Sequence, residues 1–203
     1  MEMSLIQMFH DRGCLQISPN DYFTYASGLK GPIYCDNRLI LGDSKLREET
    51  LGSLISLIGS WKIEFEAVMA MATGAIALGS LLSDRLELPL GYIRTEPKAH
   101  GSGSRIEGGV DKTKKVLVFE DLVNQGSSVK SGVLALRESG YDIAGVVSIV
   151  NYEFDMAENY FKAESIPFRS IIKFSDLLEF YASGLDQKET RAALIRWHNK
   201  LNQ

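Results

Sequence analysis

The sequence predicts an α/β protein: a central parallel sheet flanked by helices, with a small N-terminal cap over one end of the sheet. Three observations carry that expectation. From Ala67 onward, apolar runs of strand length alternate with segments of helical period, the pattern of βαβ units. The run Val116-Leu117-Val118-Phe119 is unbroken and apolar, as in strands buried on both faces of a parallel sheet. The part before residue 60 does not share the alternation, which makes it the cap. At 203 residues the chain is long enough for one well-buried domain.

The elements follow in order. Residues 5–9 have a short helical pattern ended by Gly13. Residues 22–25 and 32–35 are β-rich runs separated by Ser27-Gly28-Leu29-Lys30-Gly31, which suggests a small hairpin-like element between them. A helix starts at Asp43 or Ser44 as cap, and Leu51, Leu54, Ile55 and Ile58 lie on one of its faces. A strand over 67–72 leads to a helix over 75–86 that carries Ile76, Leu78, Leu81 and Leu82. Strands are expected at 90–93, 116–119, 143–150 and 168–172, with a helix over 128–139 closed by Gly140. Further helices follow near 176–181 and from Asp186, whose cap is supported by Glu189 three residues on.

Composition narrows the function classes. Hydrophobic residues make up 45% and charged residues 24%, an ordinary globular balance that excludes a disordered tail or a disulfide scaffold. The 22 Lys and Arg against 26 Asp and Glu leave a net charge of -4, so no global field collects nucleic acid, and an anionic ligand needs a local basic cluster. The two cysteines, Cys14 and Cys35, lie in no CxxC and read as reduced thiols; zinc is not expected. Residues 1–11 lack the basic flank and apolar run of a signal peptide. Residues 67–83 are uncharged but shorter than the ~20 apolar residues of a spanning helix, so no membrane role is expected and the protein reads as cytoplasmic. His10 and His198 fall on expected terminal helices as surface or packing residues, and Trp61 and Trp197 read as core or interface anchors.

Chemistry concentrates in two places. In the first, the apolar strand ends in Glu120 and Asp121, and Leu122-Val123-Asn124-Gln125-Gly126-Ser127-Ser128 then opens a helix. A turn at a helix N-terminus presents free backbone N–H groups, which suits a phosphate; Gly126 allows close approach and Ser127 and Ser128 add hydroxyl donors. The carboxylates suit sugar hydroxyls or Mg²⁺, so the site wants a phosphate beside a diol, a phosphorylated ribose. In the second, residues 94–109 carry four glycines with Arg94, Lys98, His100 and Arg105, a loop able to swing cations onto a polyanion or else a solvated hairpin.

The stretch 116–128 resembles the phosphoribosyl pyrophosphate (PRPP) motif of the type I phosphoribosyltransferases, with Asn124 and Gln125 where hydroxyl residues are usual. Arg94-x-x-x-Lys98-x-His100-Gly101, followed by Ile106-Glu107-Gly108, resembles the catalytic loop of the orotate phosphoribosyltransferases. Ser27-Gly28, Pro32-Ile33-Tyr34-Cys35-Asp36-Asn37-Arg38 and Ala72-Thr73-Gly74-Ala75-Ile76 resemble further segments of that family in the same order, so the likeness spans roughly residues 20 to 150.

The resemblance implies one phosphoribosyltransferase domain over 1–203, with 1–60 supplying an N-terminal helix and hood and 94–109 a flexible catalytic loop. It implies that the 5-phosphoribosyl group passes from PRPP, carried with Mg²⁺ near Glu120 and Asp121, to orotate. Arg94, Lys98 and His100 would hold the pyrophosphate, with Lys98 as main catalytic residue beside His100 and Asp121. Residues 120–128 would hold the ribose and its 5′-phosphate, and Tyr34, Arg38 and Asn124 the base. The resemblance also implies a homodimer with the loop shared across subunits. Two departures stand out: the family's second cation beside Arg94 is replaced by Thr95-Glu96, and the position where some members hold orotate's carboxylate offers Asn151 and Tyr152. A transferase for another nucleobase and a non-catalytic PRPP-binding regulator are the alternatives.

Overall fold

The structure, a computed structural model, describes residues 4–25, 28–97, 104–182 and 185–202, without the side chains of 185 and 186. Helix α1 (Leu5–Arg12) starts at Ser4, whose hydroxyl accepts from the Gln7 N–H, and stops at the left-handed Gly13. Short strands β1 (Leu15–Ile17), β2 (Phe23–Thr24), β3 (Lys30–Gly31) and β4 (Ile33–Cys35) follow, then a 3-10 helix (Asn37–Gly42). Helix α2 (Ser44–Trp61) is capped by the Asp43 carboxylate, which accepts from the Leu46 N–H, and buries Leu51, Leu54 and Ile58 along one stripe.

The cap pairs differently from the expected hairpin. β2 pairs with β3, Phe23 opposite Gly31, while β4 pairs antiparallel with β1, Leu15 opposite Cys35. Pro32 is the switch point, since it has no N–H to continue a ladder and its carbonyl accepts from the Ser18 N–H. Burial drives the swap, because Leu15 and Ile33 are both in the core.

The rest is layered. β5 (Ala67–Met71), α3 (Ile76–Arg85), β6 (Leu90–Ile93), β7 (Ile106–Glu107), β8 (Lys115–Val123), α4 (Ser127–Glu138), β9 (Asp142–Asn151), α5 (Asp155–Ala163), β10 (Phe168–Lys173), α6 (Phe174–Phe180) and α7 (Leu185–Leu201) complete the chain. The six-stranded sheet has the order β10-β9-β8-β5-β6-β7 and is parallel except at β7, which runs antiparallel to β6. The expected parallel sheet and flanking helices are therefore present. α5 and β7 escaped the sequence reading: α5 buries only Ala157 and Phe161, too narrow a stripe to signal a helix, and β7 has two residues. Strand β8 is longer than expected, carrying Glu120 and Asp121 within the ladder instead of after it.

Candidate active site

The length of β8 makes the site. β5 pairs with β8 only as far as Ala70 opposite Phe119, whereas β9 stays beside β8 to Val123 opposite Asn151. Residues 120–123 therefore rise past the end of β5 with one flank open, at the carboxyl edge where parallel sheets bind ligands.

Strand alternation sends the two carboxylates to different surroundings. Glu120 is 5% exposed; its carboxylate accepts from the Asp121 N–H at 3.0 Å and from the Ser128 hydroxyl at 3.2 Å. Burial, with the Asp121 charge adding to it, pushes its carboxyl well above the usual carboxylate range. Asp121 is half-buried and faces the turn after β5: a Cβ on Gly74 would stand 2.3 Å from its Oδ2. Its Oδ1 accepts from the Leu122 N–H at 3.0 Å, and its backbone carbonyl accepts from Asn37 Nδ2 at 2.7 Å. Asn37 in turn accepts from the Cys35 thiol at 3.3 Å. The cap is thus pinned to the acidic strand end, a link that a single buried Asn in the sequence does not announce.

The turn into α4 has the form of a cradle. Gly126 is the N-cap in the left-handed region, φ 81°, and among the described residues no side chain caps the helix, so its leading N–H groups are left for another acceptor. Ser127, Ser128 and Asn124 are exposed and Gln125 half-buried. Residues 122–129 form one side of a cavity of about 190 Å³; Tyr25 and Leu29 of the hood and Trp197 and Leu201 of α7 form the other. None of these four residues is among those expected in the site, since they lie far from the 116–128 stretch in the chain.

The other expected site residues that the structure describes lie outside that cavity's lining. Tyr34 packs against Phe23, ring centres 5.7 Å apart. Arg38 is exposed and chelated by Asp36, Nε and a terminal nitrogen each donating over 2.7 Å. Arg94, at the end of β6, donates to the Glu96 carbonyl at 3.3 Å and stands 3.9 Å from Glu107. Arg105 is no swinging cation: it donates to the Arg94 carbonyl at 2.8 Å and to the Ser131 hydroxyl at 2.9 Å, stapling the loop's return to α4. The Thr95 hydroxyl donates to the Ala72 carbonyl at 3.4 Å. Lys98 and His100 lie outside the described residues.

Neither residue offered for a carboxylate is free. Asn151 donates to Glu158 at 3.1 Å and accepts from the Glu153 N–H at 2.8 Å, and Tyr152 is 2% exposed. Among the described residues no three His, Cys, Asp or Glu cluster as a metal cage, Cys14 and Cys35 are free thiols, and no helix is long and apolar enough to cross a membrane.

A mostly parallel sheet whose central strand leads through an acidic pair into an uncapped helix defines the type I phosphoribosyltransferase class. The crystal structure of orotate phosphoribosyltransferase from Aeropyrum pernix matches with a TM-score of 0.76 and 28% identity, over 90% of this chain and 100% of that one. No family model matches the chain. Orotate phosphoribosyltransferase of Staphylococcus saprophyticus is 37% identical over 190 residues, 93% of each chain. That of Bacillus mycoides is 40% identical over 181 residues, 88% of this chain and 86% of its own. The chain belongs to the orotate phosphoribosyltransferase family.

Proposed function

We propose that this chain transfers the 5-phosphoribosyl group from PRPP to orotate, releasing pyrophosphate and giving orotidine 5′-monophosphate. The observation that carries the reading is the β8–α4 turn: an acidic pair on a sheet crest leads directly into uncapped backbone N–H groups. The N–H groups of the cradle suit the 5′-phosphate, and Asp121, the less buried carboxylate, suits the ribose hydroxyls. Glu120 supports it from beneath α4 through Ser128.

In the transfer, the C1′–oxygen bond of PRPP breaks with its electron pair leaving on pyrophosphate, and N1 of orotate supplies the pair for the new bond to C1′. Positive charge grows on the ribose beside Asp121, and negative charge on the departing oxygens. The protein's task is positioning and charge stabilisation. Arg94, Lys98 and His100 are the cations we assign to pyrophosphate, with Lys98 as principal catalytic residue. A Mg²⁺ ion carried with the diphosphate would neutralise part of its charge, with Glu120 and Asp121 the carboxylates near enough to help hold it. We further place the enzyme in the cytoplasm as a homodimer whose loop serves the partner subunit's site.

The test is loss of orotate absorbance with PRPP and Mg²⁺, run beside uracil, adenine, guanine and hypoxanthine. Turnover of orotate alone supports the reading. Turnover of a purine instead selects another base, an outcome motivated by the occupied Asn151 amide. PRPP binding without any turnover selects a regulator. In the active protein, Lys98→Ala is expected to lower kcat by more than about tenfold with the melting temperature unchanged; near-normal turnover removes Lys98 from the mechanism.

A further inference from the structure

Two covers from opposite ends of the chain meet over the cradle cavity. α7 reaches it with Trp197 and Leu201, and the β2–β3 hairpin with Tyr25 and Leu29. They converge on Gly31. A Cβ there would stand 2.6 Å from Trp197 Nε1 and 2.2 Å from the Tyr25 hydroxyl, so the indole edge and the phenol press on the same point of hairpin backbone.

The two polar atoms are unequally satisfied. The Tyr25 hydroxyl donates to the Ile33 carbonyl at 2.6 Å, and among the described residues nothing donates to its lone pairs. Burial pushes that phenol up to about 12, so it stays a neutral hydroxyl through the working range of pH. Trp197 is 4% exposed, and among the described residues its buried indole N–H has no partner. Buried unpaired donors are costly and rare.

Packing holds the indole in place. Phe154, Tyr152 and Phe174 surround it with ring centres at 5.2, 5.7 and 6.2 Å. The next residue, His198, is stacked between Phe154 and Phe174 at 4.8 and 4.2 Å, with Nε2 bonded to the Tyr152 carbonyl at 2.8 Å. The donor is therefore fixed, and the acceptor sits on a two-residue-strand hairpin, the more easily shifted partner.

We propose that Trp197 is a positioning residue for the transfer reaction: its indole N–H bonds the Tyr25 hydroxyl when a sugar phosphate fills the cradle cavity, latching the hood hairpin to α7. The relay Trp197 N–H to Tyr25 hydroxyl to Ile33 carbonyl then ties the last helix, the hairpin and β4 together around the ligand. Trp197 touches no reacting atom in this role. The inference rests on the phosphoribosyl-transfer reading above.

The test uses full-length protein carrying Trp61→Phe, which leaves Trp197 as its single tryptophan. Ribose 5-phosphate is the probe, its binding followed in parallel by calorimetry. Probe binding is expected to change Trp197 emission, and Tyr25→Phe to abolish that change while binding persists. In turnover assays Trp197→Phe keeps the ring and loses the N–H, so KM for PRPP is expected to rise roughly fivefold, with kcat and melting temperature near the parent's. Because Tyr25→Phe also frees the Ile33 carbonyl, the decisive comparison is the double variant, expected to be no worse than the worse single one. Binding with unmoved emission, or additive losses in the cycle, overturns the latch alone. Failure of the parent to bind either ribose 5-phosphate or PRPP overturns the latch and the transfer reading together.

Discussion

The floor and the cover of the cradle cavity are made in opposite ways. The floor is one continuous stretch, a strand, a turn and the first residues of a helix, and the anion donors we propose there are backbone N–H groups. The cover joins Tyr25 and Leu29 to Trp197 and Leu201, and works through particular rings meeting a glycine. The difference teaches what each can tolerate. A backbone cradle keeps its geometry when side chains change, so Asn124 and Gln125 can replace hydroxyl residues without dismantling it. A cover built from side-chain packing has no such tolerance, since a single added methyl at Gly31 has nowhere to go.

The largest effect is expected where a side chain is forced into the floor itself. In Gly74→Ala the new methyl meets the Asp121 carboxylate, displacing it from the place we propose for the ribose, and kcat/KM should fall about a hundredfold with the fold retained. A loss confined to the melting temperature breaks the assignment of Gly74 and Asp121 to one working unit. Asp121→Asn comes next: removing the charge should weaken PRPP binding roughly tenfold by calorimetry in Mg²⁺ buffer. Unchanged affinity would end the ribose-diol role.

Gly31→Ala probes the cover. Overpacking against Tyr25 and Trp197 is expected to lower the melting temperature by about 5 °C and to raise KM more than it lowers kcat. A mainly kcat effect would mean that the cover belongs to the chemical step.

The smallest effect concerns Glu120 and sharpens the contrast between the paired carboxylates. Its folded pKa is raised, so the folded protein holds that proton more tightly than the unfolded chain does. The resulting stability is complete below the ordinary carboxylate range and is lost as pH rises through the folded value. Glu120→Gln, neutral throughout, should melt at or slightly above the wild type near about pH 8 and flatten its decline from about pH 5 upward. A steeper decline in the variant would show that Glu120 is held ionised.

Much of this was legible in residue order. The alternation after Ala67 sets parallel strands between helices, and Val116 to Phe119 reads as a central strand because no polar atom interrupts it. The order strand, acidic pair, Gly-Ser turn, helix locates the uncapped turn that we propose for the 5′-phosphate, since helix N-termini bind anions by local geometry alone. What misled was also local. Arg105 sits among glycines and looks mobile, yet Ser131 of α4 and the Arg94 carbonyl hold it. The runs at 22–25 and 32–35 look like partners, yet each pairs elsewhere because burial of Leu15 and Ile33 outweighs proximity in sequence.

By itself, then, the sequence determined the sheet, the cradle and the family likeness, because each depends on neighbours within a turn or a strand. Only the tertiary structure decided which carboxylate is buried, that Asn37 grips the acidic strand end, that Asn151 is already engaged and that Trp197 walls the cavity. Those facts are contacts between residues far apart in the chain, and they follow from which surfaces must leave water together, a condition that no local pattern encodes.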